Sequence, residues 1–235
     1  GVLFLKPAHT EALVNLGAYA LAAGDHAGSR EAMLEAAKLA PDDPRLAVNM
    51  GTLLAETGGP DDAAGSGALT PARTAFLQAL ALRPDLEDAS LALAGLALRE
   101  GDSTEALARY QKVLETEPDS FPARLNLGAL LIERGQLAEA REHLEAAVRL
   151  RPTSGVAVYN LGVCCEQLAQ PEEAATHYAG ARELDPSVGE ASINLGLLAE
   201  RGGDLELAAR EYTAALEATP TALEGYRLLG HALRR

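Results

Sequence analysis

Apolar residues along this chain recur with a helical step. From Phe121 to Arg134 the sequence reads FPARLNLGALLIER, and at about 100° per residue Arg124, Leu127, Gly128 and Leu131 share one face. A second stretch of the same kind, Leu137–Leu150, follows after Gly135 and Gln136, which read as a tight turn. Helices joined by so short a turn must lie antiparallel. Pro152 then prevents the helix from continuing, because proline lacks the amide donor and restricts the residue before it. The predicted unit is a helical hairpin.

This hairpin is repeated. Prolines at 7, 41, 84, 118, 152, 186 and 220 are separated by 34, 43, 34, 34, 34 and 34 residues. A small residue keeps the same phase at Gly17, Gly51, Ala94, Gly128, Gly162, Gly196 and Gly230. A third series runs Ala72, Ala106, Ala140, Ala174 and Ala208, with Ser29 in the first unit. Counting each unit from the third residue after its proline puts first positions at Thr10, Pro44, Glu87, Phe121, Gly155, Gly189 and Leu223, the last unit being partial. The second unit is longer by nine residues (43 − 34), and the excess falls in the polar, glycine-rich stretch GGPDDAAGSG at 58–67. That stretch lacks the ordered ligand spacing of a calcium loop and reads as a flexible insertion, with a partner-contacting loop as the alternative. Pro71 after Thr70, and Pro171 after Gln170, place proline at the first position of a second helix.

Position 24 of each unit holds Met33, Phe76, Tyr110, Leu144, Tyr178 or Tyr212, and position 27 holds Ala36, Ala79, Val113, Ala147, Ala181 or Ala215. With the small residue at 8, Ala at 20 and Pro at 32, this pattern resembles the tetratricopeptide repeat, a 34-residue helical hairpin, over nearly the whole chain. The aromatic usual at position 4 is missing except at Tyr226. The resemblance implies an all-α, right-handed α-solenoid, a superhelix of antiparallel helix-turn-helix repeats, as a single domain over 1–235. It also implies a segment of a longer protein: residues 1–6 look like the close of a preceding second helix, and Arg235 falls within a first helix.

One motif contradicts helix propensity. Asn and Gly are each worse than Ala by roughly 0.5–1 kcal/mol inside a helix, yet LNLG (125–128) recurs as VNLG (14–17), VNMG (48–51), YNLG (159–162) and INLG (193–196). The glycine, at position 8, is expected where a second helix packs closely. The asparagine, at position 6, lies about 200° from position 4, and the series is Asn15, Asn49, Asn126, Asn160 and Asn194, broken by Ala92. A carboxamide offers two donors and an acceptor, so it can hold the C=O and N–H of an extended backbone whatever that peptide's side chains are. In the family, first helices line the concave side, so the resemblance puts these amides in one groove. Ancestry is the competing explanation, since Asn is common at this position and can bond a neighbouring turn or water. Position 5 carries Val14, Val48, Leu91, Leu125, Tyr159 and Ile193, which either pack on the next hairpin or form pockets for a ligand.

Charge narrows the partner. Twenty basic against thirty-four acidic residues give a net charge of −14, which argues against nucleic acid and anionic membrane surfaces. No run approaches the ~20 apolar residues of a membrane span. Groove-side charges (Glu11, Glu56, Asp88, Glu133, Glu166, Glu190 and Glu200 against Arg45, Arg99 and Arg201) are scattered and predicted to be solvated. Adjacent Cys164 and Cys165 suit buried helix positions better than a bridge. His143 and His177 share position 23 but lack a carboxylate at ligand spacing, so no metal is expected, and neither a cofactor motif nor a catalytic constellation is present. The sequence therefore points to a scaffold binding an extended peptide through Asn15, Asn49, Asn126, Asn160 and Asn194, flanked by Val14, Val48, Leu125, Tyr159 and Ile193. Two other readings stand beside it: the substrate-targeting arm of a larger enzyme such as a glycosyltransferase, and a scaffold that self-associates through its end repeats.

Overall fold

The computed structural model describes residues 7–57, 70–187, 189–218 and 223–233, so the 58–67 insertion lies outside the described residues. Every regular element among them is an α-helix, and the chain forms two compact units, Gly1–Pro118 and Asp119–Arg235. The first unit contains three hairpins: α1 (Pro7–Ala22) with α2 (His26–Leu39), α3 (Pro44–Thr57) with α4 (Thr70–Leu82), and α5 (Glu87–Arg99) with α6 (Ser103–Thr116). The second pairs α7 (Phe121–Glu133) with α8 (Leu137–Leu150), α9 (Gly155–Gln167) with α10 (Pro171–Leu184), and α11 (Gly189–Arg201) with α12 (Leu205–Ala218), and ends in α13 (Leu223–Ala232). All first helices begin at the predicted position except α1, which starts three residues before Thr10. Helix α4 begins at Thr70 itself, which moves Pro71 one residue into the helix; Gln170 does precede Pro171 as expected.

Short-range chemistry starts and stops these helices. Asp25, Asp102 and Asp204 accept backbone N–H groups at the start of α2, α6 and α12, and Ser120 and Ser154 do so for α7 and α9, each satisfying a donor the helix cannot. Four first helices, α1, α5, α7 and α11, end on a left-handed glycine, Gly24, Gly101, Gly135 or Gly203, with φ from 73° to 86°. There the chain folds back through bonds such as Gln136 N–H to Leu131 O at 2.9 Å.

The core is assembled from the repeated small residues. Ala72, Ala106, Ala140, Ala174 and Ala208 are wholly buried, as is Ser29. The glycine at position 8 faces the side chain at position 24 of its own hairpin. A Cβ on Gly51 would lie 2.6 Å from Phe76, one on Gly128 2.6 Å from Leu144, one on Gly162 2.8 Å from Tyr178, and one on Gly196 2.5 Å from Tyr212. The missing methyl is thus replaced by a ring or a branched carbon, and that burial offsets the propensity penalty. Within each unit, second helices also pack on the next first helix (α2 on α3, α4 on α5, α8 on α9, α10 on α11), and first helices touch one another, α1 to α3, α3 to α5 and α7 to α9.

Candidate functional site

The first helices carry the asparagine series on a face that the core leaves open. Asn15 and Asn126 are exposed, and Asn49, Asn160 and Asn194 are half-buried. Two amides reach back to the preceding first helix at its position 5. Asn49 donates through Nδ2 to Val14 O at 3.4 Å, and Asn194 donates through Nδ2 to the Tyr159 hydroxyl at 3.2 Å. Among the described residues the amides of Asn15, Asn126 and Asn160 have no hydrogen-bonding partner.

Position 5 divides into two kinds. Val14 is only 2% exposed and belongs to the core around Met33, Leu46 and Leu53, so it packs on the next hairpin. Val48, Leu125, Tyr159 and Ile193 are half-buried and keep part of their surface beside the amides. Tyr159 stacks obliquely on Tyr178 with ring centroids 5.7 Å apart, and burial raises its pKa above the usual phenol value against the lowering effect of the Asn194 bond.

Several of the groove-side charges are paired and not simply solvated. Tyr178 donates its hydroxyl to Glu166 at 2.8 Å, and Tyr212 does the same to Glu200 at 3.1 Å. In both cases the carboxylate sits at position 12, directly across the hairpin from the position-24 ring. Burial and the nearby carboxylate push the Tyr212 hydroxyl up to about 12 and that of Tyr178 higher still. Glu166 also pairs with Arg201 of the next repeat at 2.6 Å, and Glu200 lies 3.0 Å from His231 Nδ1. Of the other groove cations, Arg45 reaches Glu11 at 3.6 Å and Arg99 donates to Ala55 O at 3.1 Å. Weighing each charge alone misses these pairs. The signal that finds them is the coincidence of Glu at 12 with Tyr at 24, which falls in the fifth and sixth repeats.

Cys164 and Cys165 are free and wholly buried, and burial raises both thiols above their usual pKa. Burial lowers His143 and His177 instead, and Nδ1 of His143 is enclosed without a partner. No group of side chains among the described residues is arranged to hold a metal ion, and no helix there is long and apolar enough to cross a membrane.

Two tetratricopeptide-repeat family models match this chain, one over residues 97–161 and 131–191, the other over 2–44, 48–121 and 166–222. The protein belongs to the tetratricopeptide-repeat family. A comparison with curated proteins found no match. Among solved structures, YrrB, described as "a TPR protein with an unusual peptide-binding site", is 21% identical over 86% of this chain and 98% of its own, with a TM-score of 0.63. Pseudomonas aeruginosa PilF is 15% identical over 95% of this chain and 98% of its own, with a TM-score of 0.80. The APC/C hetero-tetramer Cut9–Hcn1 contains a chain 16% identical over 97% of this one and 43% of its own, also at 0.80. At such identities these likenesses establish the fold, an all-α solenoid of tetratricopeptide repeats. Repeats of this family make the chain a protein–protein interaction scaffold.

Proposed function

We propose that this tetratricopeptide-repeat protein is a non-catalytic adaptor that holds an extended peptide segment along its first helices. Asn15, Asn49, Asn126, Asn160 and Asn194 grip the peptide backbone, and Val48, Leu125, Tyr159 and Ile193 contact its side chains. Val14 supports the row from beneath. One observation carries the reading: where a row amide is bonded within the protein, it bonds through Nδ2 (Asn49 to Val14 O, Asn194 to the Tyr159 hydroxyl and towards Tyr178), which leaves Oδ1 in both and one N–H in Asn49. An extended backbone presents one C=O and one N–H per residue, the complement of what is left. The amides with no partner, Asn15, Asn126 and Asn160, retain their full capacity, and the half-buried setting of Asn160 makes its bonds stronger than in open water.

The test is the triple substitution Asn126→Ala, Asn160→Ala and Asn194→Ala, assayed by calorimetry against peptides recovered from a pull-down with the intact chain. Affinity should fall by a hundredfold or more, at about 1 kcal/mol per lost bond, while circular dichroism keeps its helical signal. Unchanged affinity would reject the row as the binding element.

A further inference from the structure

A second candidate site lies where the hairpin tips of the fifth and sixth repeats meet. A cleft of about 650 Å³ opens between the α9–α10 turn and the α11–α12 turn, within the size range of ligand pockets. Its floor is apolar: Ala169, Pro171, Ala175, Leu195, Leu198 and Leu207. Most of these keep part of their surface open, so the floor is not simply core. Ala169 is also the one described non-glycine residue with positive φ, 58°, at the turn position where Gly24, Gly101, Gly135 and Gly203 stand in other repeats. A methyl group here therefore lines the cleft at a conformational cost that the sister turns avoid.

The rim is negative. Glu166 and Arg201 both border the cleft and neutralise each other at 2.6 Å, and Arg141 takes up neighbouring Glu173 at 2.9 Å. The exposed carboxylate of Glu172, also on the rim, has no ion-pair partner among the described residues. The uncompensated charge beside the apolar floor is thus that of a carboxylate. We infer that this cleft is an anchor site for a bulky apolar side chain of a protein partner, flanked in that partner by Lys or Arg. The site borders the groove-side pair Glu166–Arg201 but does not use the asparagine amides, so the two can be tested separately.

The probe is a fluorescein-labelled, Gly/Ser-rich peptide with one central Phe between two Lys, followed by fluorescence anisotropy with the whole chain. Replacing Phe by Ala in the peptide weakens binding about tenfold or more, as expected for losing a buried ring. Replacing both Lys by Glu weakens it severalfold, more at low salt than at high. Ala175→Leu, which fills the cleft from a partly open position, lowers affinity to the level of the Phe-free peptide with little change in Tm. Methyl resonances of Leu198 and Leu207 shift on titration. Binding persists in the triple asparagine variant, which separates failure of the groove from failure of the cleft. Absence of saturable binding, equal affinity for the Phe and Ala peptides, or unmoved Leu198 and Leu207 methyls at saturation would each overturn the inference.

Discussion

The two units use the same hairpin but tie their first helices together differently. In the first, the polar links along the groove side end largely on backbone: Asn49 on Val14 O and Arg99 on Ala55 O, with the exposed Arg45–Glu11 pair as the exception. In the second they end on side chains, Asn194 on Tyr159 and Arg201 on Glu166, and within each of these hairpins the second-helix rings Tyr178 and Tyr212 donate to Glu166 and Glu200. A backbone carbonyl is present whatever the sequence, whereas a phenol or carboxylate acceptor exists only where the sequence supplies it. The change traces to positions 5 and 12: position 5 is Val14 where Asn49 bonds and Tyr159 where Asn194 bonds. Position 12 is Leu21, Ala55 or Leu98 in the first unit and Ile132 in the fourth repeat, but Glu166 or Glu200 in the fifth and sixth. One frame therefore carries an apolar wall in one region and a titratable wall in another, and specificity resides in such positions, not in the fold.

The largest expected effect removes the hub of that titratable wall. Glu166→Ala leaves the buried Tyr178 hydroxyl without its acceptor, a loss of about 2 kcal/mol by the usual penalty for an orphaned group bonded to a charge. Glu166→Gln keeps an acceptor and should recover more than half of it, and adding Tyr178→Phe to Glu166→Ala should recover part as well. Urea denaturation reads both. High pH probes the same wall. Tyr212 has a pKa raised from 10 to about 12 in the folded chain, so its contribution is intact below pH 10 and is lost as pH rises towards 12. The Tyr178→Phe, Tyr212→Phe double variant should lack that alkaline fall in Tm; an identical fall would place its origin elsewhere.

Next comes packing at position 8. In Gly196→Ala the new Cβ would meet the Tyr212 ring at 2.5 Å, while in Gly17→Ala it would meet the Met33 side chain at 2.9 Å. Overpacking costs roughly 1–3 kcal/mol, and the helix gains about 1 from losing glycine. Methionine bends away more readily than a ring held by a hydroxyl bond. Gly196→Ala should thus destabilise by about 1 kcal/mol and Gly17→Ala should be close to neutral. Ala94, opposite Tyr110 in the third repeat, shows that a hairpin whose other residues are matched to it accepts the methyl.

Burial of histidine gives a smaller, acid-side difference. His143 and His177, both in the second unit, are held below the ordinary 6.5 by burial, and Arg124 adds to the effect at His143. A lowered pKa means that stability is complete above pH 6.5 and declines as pH falls through the folded values. His143→Phe should flatten the fall in Tm between pH 7 and pH 5, because it also removes the enclosed Nδ1 that lacks a partner.

Much of this architecture is written in the sequence because the repeat averages over errors that a single helix would not forgive. Six first-helix starts, from Pro44 to Leu223, follow from proline spacing alone. The packing role of Gly51 and Gly196 follows from their phase. What stays hidden depends on contacts between positions: Glu166 reads as a solvated charge until Tyr178 is placed across from it, and Val14 reads as a groove residue until Met33 and Leu53 close over it. The cleft at Ala169 is invisible for the same reason, since it is formed by two turns 34 residues apart.

The smallest predicted effect bears most on function. Asn49→Ala loses a long, 3.4 Å bond to Val14 O, and Asn194→Ala loses a 3.2 Å bond to Tyr159. Each bond is worth about 0.5–1 kcal/mol, and each substitution returns about 0.5 kcal/mol of helix propensity. The two terms nearly cancel, so each variant should fall within about 0.5 kcal/mol of the parent in urea denaturation. If either substitution cost about 1.5 kcal/mol or more, the amides would be structural stitches and the row would have a purpose without any ligand. Near-neutral stability combined with lost peptide affinity is the outcome that only recognition predicts. Asn49 and Asn194 decide it better than the free amides do, because they alone have a competing structural role to be measured.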